Sequence, residues 1–102
     1  MIVLNTAPDK KTAKKIAKKL VNSRAAACVN ILPNLTSIYA WNGKIRSDKE
    51  VLMIAKGRYK KIKKMILKFH PYELPEIIAL KPKKIEKTYK KWIKQNTKGK
   101  KC

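Results

Sequence analysis

Few side chains in this sequence can hold a metal ion or move a proton, and they form no compact motif. The thiolate and imidazole that soft or borderline divalent ions prefer are present as Cys28 and as His70, the single histidine. A second thiol, Cys102, ends a Lys/Gly-rich tail. No Cys-x-x-Cys or His-x-x-x-His spacing occurs, so a closed structural site from one subunit is not expected; any ion would need ligands shared across an interface or supplied by solvent. Cys28 sits in the apolar run AAACVNIL (25–32), where a free thiol behaves as a small hydrophobe and nothing beside it activates it as a nucleophile. His70 has richer neighbours. It precedes Pro71 and Tyr72 and stands near Glu73 and Glu76, so imidazole, phenol and carboxylate can converge on one rim. Its place at the end of an amphipathic segment has a structural reason too, since the negative end of a helix dipole favours a cationic His.

Enzyme chemistries lack their parts, and no catalytic residue is assigned. Glu73 and Glu76 flank Pro75 without a second acidic cluster for acid/base work. Three glycines form no G-x-x-x-x-G-K-[ST] phosphate loop, and no Arg-bearing loop follows the first apolar segment. The chain reads as a non-enzymatic protein.

The elements that must position these residues follow from periodicity. Residues 1–6 form a short apolar strand, after which Pro8-Asp9 turns the chain and Asp9 can cap a helix. Ala13, Ile16, Ala17, Leu20 and Val21 then mark one face of a helix over 10–22. Residues 25–32 and 36–41 read as one long strand interrupted near Pro33. Asn42-Gly43 favours a type I′ hairpin, returning the chain through 44–56. A second helix over 59–69 stops before Pro71, a strand occupies 76–80, and a last helix covers 85–95. The order β-α-β-β-α-β-α predicts an α+β, ferredoxin-like split βαβ sandwich: one antiparallel sheet with both crossover helices on one face. One domain over residues 1–96 and a basic flexible tail over 97–102 are expected. No apolar run nears the ~20 residues that span a bilayer, and the N-terminus lacks the form of a signal peptide, so a cytoplasmic protein is expected.

A lone sheet with helices on one face should alternate apolar and polar residues. Ala25–Cys28, Val51–Ala55 and Ile77–Leu80 are instead continuously apolar. Both faces are therefore expected to be buried, and a second copy of the chain is the economical cover.

Charge is the loudest compositional signal: 27 basic residues against 6 acidic, net +21. All but Arg24, Arg46 and Arg58 of the basic residues are Lys. A lysine-rich polyanion (nucleic acid) binding module is thus the alternative reading, although specific base reading leans on Arg forks and ferredoxin-like RNA readers need a sheet-face aromatic motif that is missing here.

Several blocks in order resemble the CutA family of divalent-ion tolerance proteins: Thr6-Ala7-Pro8-Asp9, AAACVNILP (25–33), TSIYAWNGKI (36–45), EVLMIAK (50–56), HPYELPEIIAL (70–80) and the Tyr89/Trp92 pair. The resemblance implies a PII-like ferredoxin fold assembled as a homotrimer, and a role in divalent-metal tolerance. Copper(II) or another divalent metal is the implied ligand, with Cys28 and His70 the metal candidates and no metal required for folding. An intersubunit ligand cleft is implied for Trp41, Lys56, His70, Tyr72, Glu76, Tyr89 and Trp92. Asn5 stands where some relatives carry a cysteine, removing one soft ligand. Three copies would carry three times +21 and repel one another unless screened, so the assembly should melt at higher temperature as ionic strength rises. Melting curves at low and high salt check this.

Overall fold

A computed structural model describes residues 1–99. It comprises β1 (Ile2–Ala7), α1 (Lys10–Asn22), β2 (Ala26–Trp41), β3 (Lys44–Gly57), α2 (Tyr59–Phe69), β4 (Ile78–Leu80) and α3 (Lys87–Asn96). The strands form one antiparallel sheet in the order β2-β3-β1-β4, which is the ferredoxin-like arrangement.

Local chemistry sets the boundaries. The Thr12 amide donates to Asp9 Oδ1 at 2.7 Å, which caps α1. Arg24, in the left-handed region at φ 63°, turns the chain out of α1 into β2. Asn42 and Gly43 take φ 52° and 76°, as a type I′ hairpin requires. The break expected at Pro33 is a bulge rather than an end: the pairing shifts between Leu32 and Leu35, Asn34 sits at φ 63°, and β2 continues. β4 is shorter than the predicted 76–80. The Glu76 carbonyl accepts a 2.7 Å hydrogen bond from Asn5 Nδ2, which draws that residue away from the ladder with β1. The last helix starts at Lys87 instead of 85 because Glu86 caps it, accepting from the amides of Thr88 and Tyr89.

The two crossover helices bury Ala13, Ile16, Leu20, Ile62 and Ile66 against Val3, Val51, Met53 and Ala55 of the sheet. α3, which is not a crossover, buries no residue of its own and lies against β2 and β3. Thr97 and Lys98, within the tail expected to be flexible, make contacts with the fold. Thr97 is 5% exposed, Arg58 Nη1 donates to its carbonyl at 2.7 Å, and Arg24 Nε donates to the Lys98 carbonyl at 3.0 Å. The rest of that expectation, residues 100–102 with Cys102, lies outside the described residues.

The expectation of burial on both sheet faces is met on one face only within a single chain. Strand alternation places Leu4, Leu52 and Ile54 opposite the helical layer, half-buried, beside the more exposed Leu32, Ile78 and Leu80. The β2–β3 hairpin also projects beyond the core, with Ile38 73% and Ile45 82% exposed.

At Gly57 the chain passes close against β2. A Cβ there would lie 2.3 Å from the Ala25 carbonyl oxygen and 2.6 Å from Ala26 Cα, both backbone atoms. Gly57→Ala should therefore lower unfolding free energy by about 1–3 kcal/mol, as overpacking does, measurable by denaturant titration.

Candidate functional site

A cleft of ≈ 630 Å³ opens between the projecting hairpin and the connector that follows α2. Three expected site residues, Trp41, Tyr72 and Glu76, line it, joined by Tyr39, Asp48, Glu50, Glu73 and one cation, Arg46. Four of the chain's six acidic side chains thus line one cleft, while the other two, Asp9 and Glu86, cap helices.

Phenols organise two of these carboxylates. Tyr39 Oη donates to Asp48 Oδ2, a bond that raises the phenol's pKa. Tyr72 Oη donates to Glu50 Oε2 at 2.7 Å; burial first, then this hydrogen bond, pushes the Tyr72 pKa far above its ordinary value. Both phenols remain protonated donors, and their hydrogen bonds orient the two carboxylates.

His70 lies behind this wall. Its Nε2 is 2.7 Å from the Thr6 carbonyl oxygen and must donate to it, while Nδ1 accepts the Tyr72 amide at 3.1 Å. The neutral Nε2–H tautomer is the one that fits both bonds. Burial lowers its pKa, opposed by the Thr6 hydrogen bond. With both nitrogens engaged, His70 ties β1 to the connector and, with its ring centroid 4.7 Å from that of Tyr72, sets the phenol's position.

The second expected metal ligand is elsewhere. Cys28 is half-buried on β2, with Sγ 3.9 Å from Asn30 Oδ1. It pairs with Lys56, which pairs with Ile2, whereas His70 binds Thr6, four residues along β1 and so ~13 Å further on. One chain does not bring Cys28 and His70 together, and no cluster of three or more His, Cys, Asp or Glu with metal-holding geometry occurs among the described residues. Lys56 and Tyr89 line a separate cleft of ≈ 350 Å³. Lys56 Nζ donates to Tyr89 Oη at 3.5 Å, and the Tyr89 ring stacks on Trp92 at 5.5 Å. The seven expected cleft residues therefore divide into two groups within a chain.

A family model described as CutA1 divalent ion tolerance protein matches residues 1–96. The chain belongs to this family. The divalent-cation tolerance protein CutA of Thermus thermophilus is 43% identical over 99 residues, covering 94% of this chain and 96% of that protein. Human protein CutA is also 43% identical, over 90% of this chain, which spans about half (53%) of that longer protein. Among solved structures, Thermus thermophilus Cut A1 superposes with a TM-score of 0.92 at 43% identity, over 95% of this chain and 97% of that one. Pyrococcus horikoshii CutA1 gives 0.90 at 38% identity, over 96% and 98%. The CutA1 family is a divalent-cation tolerance family and not a known enzyme family.

Relatives are named chloroplastic in Arabidopsis thaliana and periplasmic in Archaeoglobus fulgidus, so membership does not carry the cytoplasmic expectation. No helix among the described residues is long and apolar enough to cross a membrane. The polyanion alternative finds no stacking platform: Leu4, Leu52, Ile54, Ile78 and Leu80 make the sheet's open face aliphatic.

Sequence reasoning missed Tyr39, Asp48 and Glu50. The hairpin register held the signal. With Asn42-Gly43 as the turn, Ser37 pairs with Asp48 and Tyr39 with Arg46, so Tyr39 and Asp48 are diagonal neighbours.

The His70 pKa is lower folded than unfolded, so the unfolded chain takes up the extra proton. Its contribution to stability is present above the unfolded value of about 6.5 and is lost as pH falls through the folded value. Thermal melts from pH 8 to pH 5 should show falling stability, and His70→Gln should flatten that slope while lowering the melting temperature at neutral pH.

Proposed function

We propose that this protein acts without catalysis as a homotrimer that binds a divalent cation through the carboxylates of the ≈ 630 Å³ cleft. The observation that carries this reading is the gathering of Asp48, Glu50, Glu73 and Glu76 on one cleft in a chain of net charge +21. Within one chain the four form no metal-holding cluster among the described residues and share the cleft with Arg46, so one or two of them bind the ion while a neighbouring subunit or solvent supplies the remaining ligands. The donor set is oxygen-rich and suits hard or borderline ions. Copper(II) remains within its range through carboxylate oxygen, whereas recruiting His70 would break its bond to Thr6 or to Tyr72.

The trimer draws support from the aliphatic outer sheet face and from the free edges of β2 and β4. Two different edges on one sheet permit head-to-tail pairing, which closes a ring rather than an isologous dimer. A ring of this kind could also unite the two groups of cleft residues across a subunit boundary. We place the protein in the cytoplasm, consistent with a chain whose described helices include no membrane span.

Light scattering should give three times 11.8 kDa at micromolar concentration; a mass of one chain overturns the trimer. Calorimetric titration with copper(II) and manganese(II) should show saturable binding that a Glu50→Gln/Glu76→Gln variant weakens by about tenfold or more. Cys28→Ser should leave it unchanged. Loss of binding in Cys28→Ser with no effect of the glutamate changes would overturn the carboxylate site.

A further inference from the structure

The outer side of the helical layer is a second place where charge is concentrated. Six of the thirteen residues of α1 and five of the eleven of α2 are lysine, and neither helix holds an acid. With Ala13, Ile16, Leu20, Ile62 and Ile66 turned to the sheet, helical periodicity carries Lys11, Lys15, Lys18, Lys60, Lys64 and Lys68 to the far side, where all six are exposed. No residue of α1 or α2 lines either cleft. The aliphatic sheet face lies on the other side of the sheet from both helices.

Lysine abundance alone would not single out this layer, but its arrangement does. Lysines recur at i, i+4 along both helices, as in Lys11/Lys15 and Lys60/Lys64, a spacing at which like charges destabilise a helix. Lys60 and Lys61 stand in the first turn of α2, at the positive end of its dipole, with no acid in that turn and no side-chain cap. A plane of negative charge against the layer offsets these repulsions.

Apolar side chains are set among the lysines. Leu67 is 55% exposed one turn beyond Lys63 and Lys64, and Val21 is 43% exposed one turn beyond Lys18. Phe69, also exposed, has Lys19 Nζ 4.2 Å and Lys68 Nζ 5.4 Å from its ring centroid, so ammonium groups already engage the ring on which a nucleic-acid base would stack. A lipid bilayer uses both kinds of side chain. Anionic head groups attract the lysines, and the boundary between head groups and acyl chains takes up exposed aliphatic groups.

We propose that the α1/α2 face docks on an anionic lipid bilayer, its lysines over the phosphate-bearing head groups and Leu67 and Val21 entering the head-group boundary. The contact is peripheral and reversible, since no acyl anchor or membrane-spanning helix takes part. It rests on neither the divalent cation nor the trimer.

Co-sedimentation with vesicles of phosphatidylcholine alone, and of phosphatidylcholine mixed with phosphatidylglycerol, tests this. The full chain should bind the mixed vesicles about tenfold or more tighter than the neutral ones, and lose that binding as salt is raised. Lys11→Gln/Lys15→Gln/Lys64→Gln should weaken binding about tenfold or more. Lys83→Gln/Lys87→Gln/Lys91→Gln, which removes the same charge on and just before α3, should change it less than about threefold. Leu67→Gln should weaken it about threefold or more. Should the first triple variant fail to fold, Lys14→Gln/Lys18→Gln/Lys60→Gln serves in its place. Equal weakening by the helical and the α3 triples reduces the effect to net charge and overturns the face. Equal binding to neutral and anionic vesicles overturns it as well. A DNA duplex that displaces the vesicles, together with a Leu67→Gln variant that binds them unchanged, makes the face a nucleic-acid surface and overturns the bilayer.

Discussion

The structure depends on one imbalance: a sheet apolar on two faces, with two crossover helices that can cover only one. Right-handed crossovers place α1 and α2 on the same side, and their isoleucines and leucine fill that side with Val3, Met53 and Ala55. Leu4, Leu52, Ile54, Ile78 and Leu80 are left on the other. Burying such surface contributes roughly 25 cal/mol per Å², so covering it in an assembly would be strongly favourable; β2 and β4 are the two edges of the sheet.

Charge follows a similar division of labour. The lysines are spread over every helix, whereas the six acids fall at two kinds of place. Asp9 and Glu86 satisfy amides at helix starts, and the remaining four line the larger cleft. An acid is scarce enough in this chain that its location is informative, whereas a lysine is too common for its location alone to be.

Buried polar contacts hold the larger cleft in shape. His70 grips Thr6 and the Tyr72 amide, and Asn5 grips the Glu76 carbonyl, so both ends of the connector are tied to β1. Asn5 Oδ1 has no hydrogen-bond partner among the described residues, so the amide secures the connector at the cost of one unsatisfied acceptor. His70 thus works by positioning Tyr72, which in turn orients Glu50.

Element order, the hairpin and the Asp9 cap were legible in the residues alone, because they depend on local signals: period 3.6 in 10–22 and 59–69, Asn42-Gly43, and Asp9 before its helix. The resemblance to CutA in several ordered blocks likewise needed no coordinates. Which of Trp41, Lys56, His70, Tyr72, Glu76, Tyr89 and Trp92 share a cleft was not legible, since that turns on strand register and on contacts between residues far apart in the chain. Nor could spacing show that His70 spends both ring nitrogens on backbone partners, one of them 64 residues away. Tertiary structure decided these points because hydrogen bonds and burial compete for the same side-chain atoms, and only the folded chain resolves which partner wins.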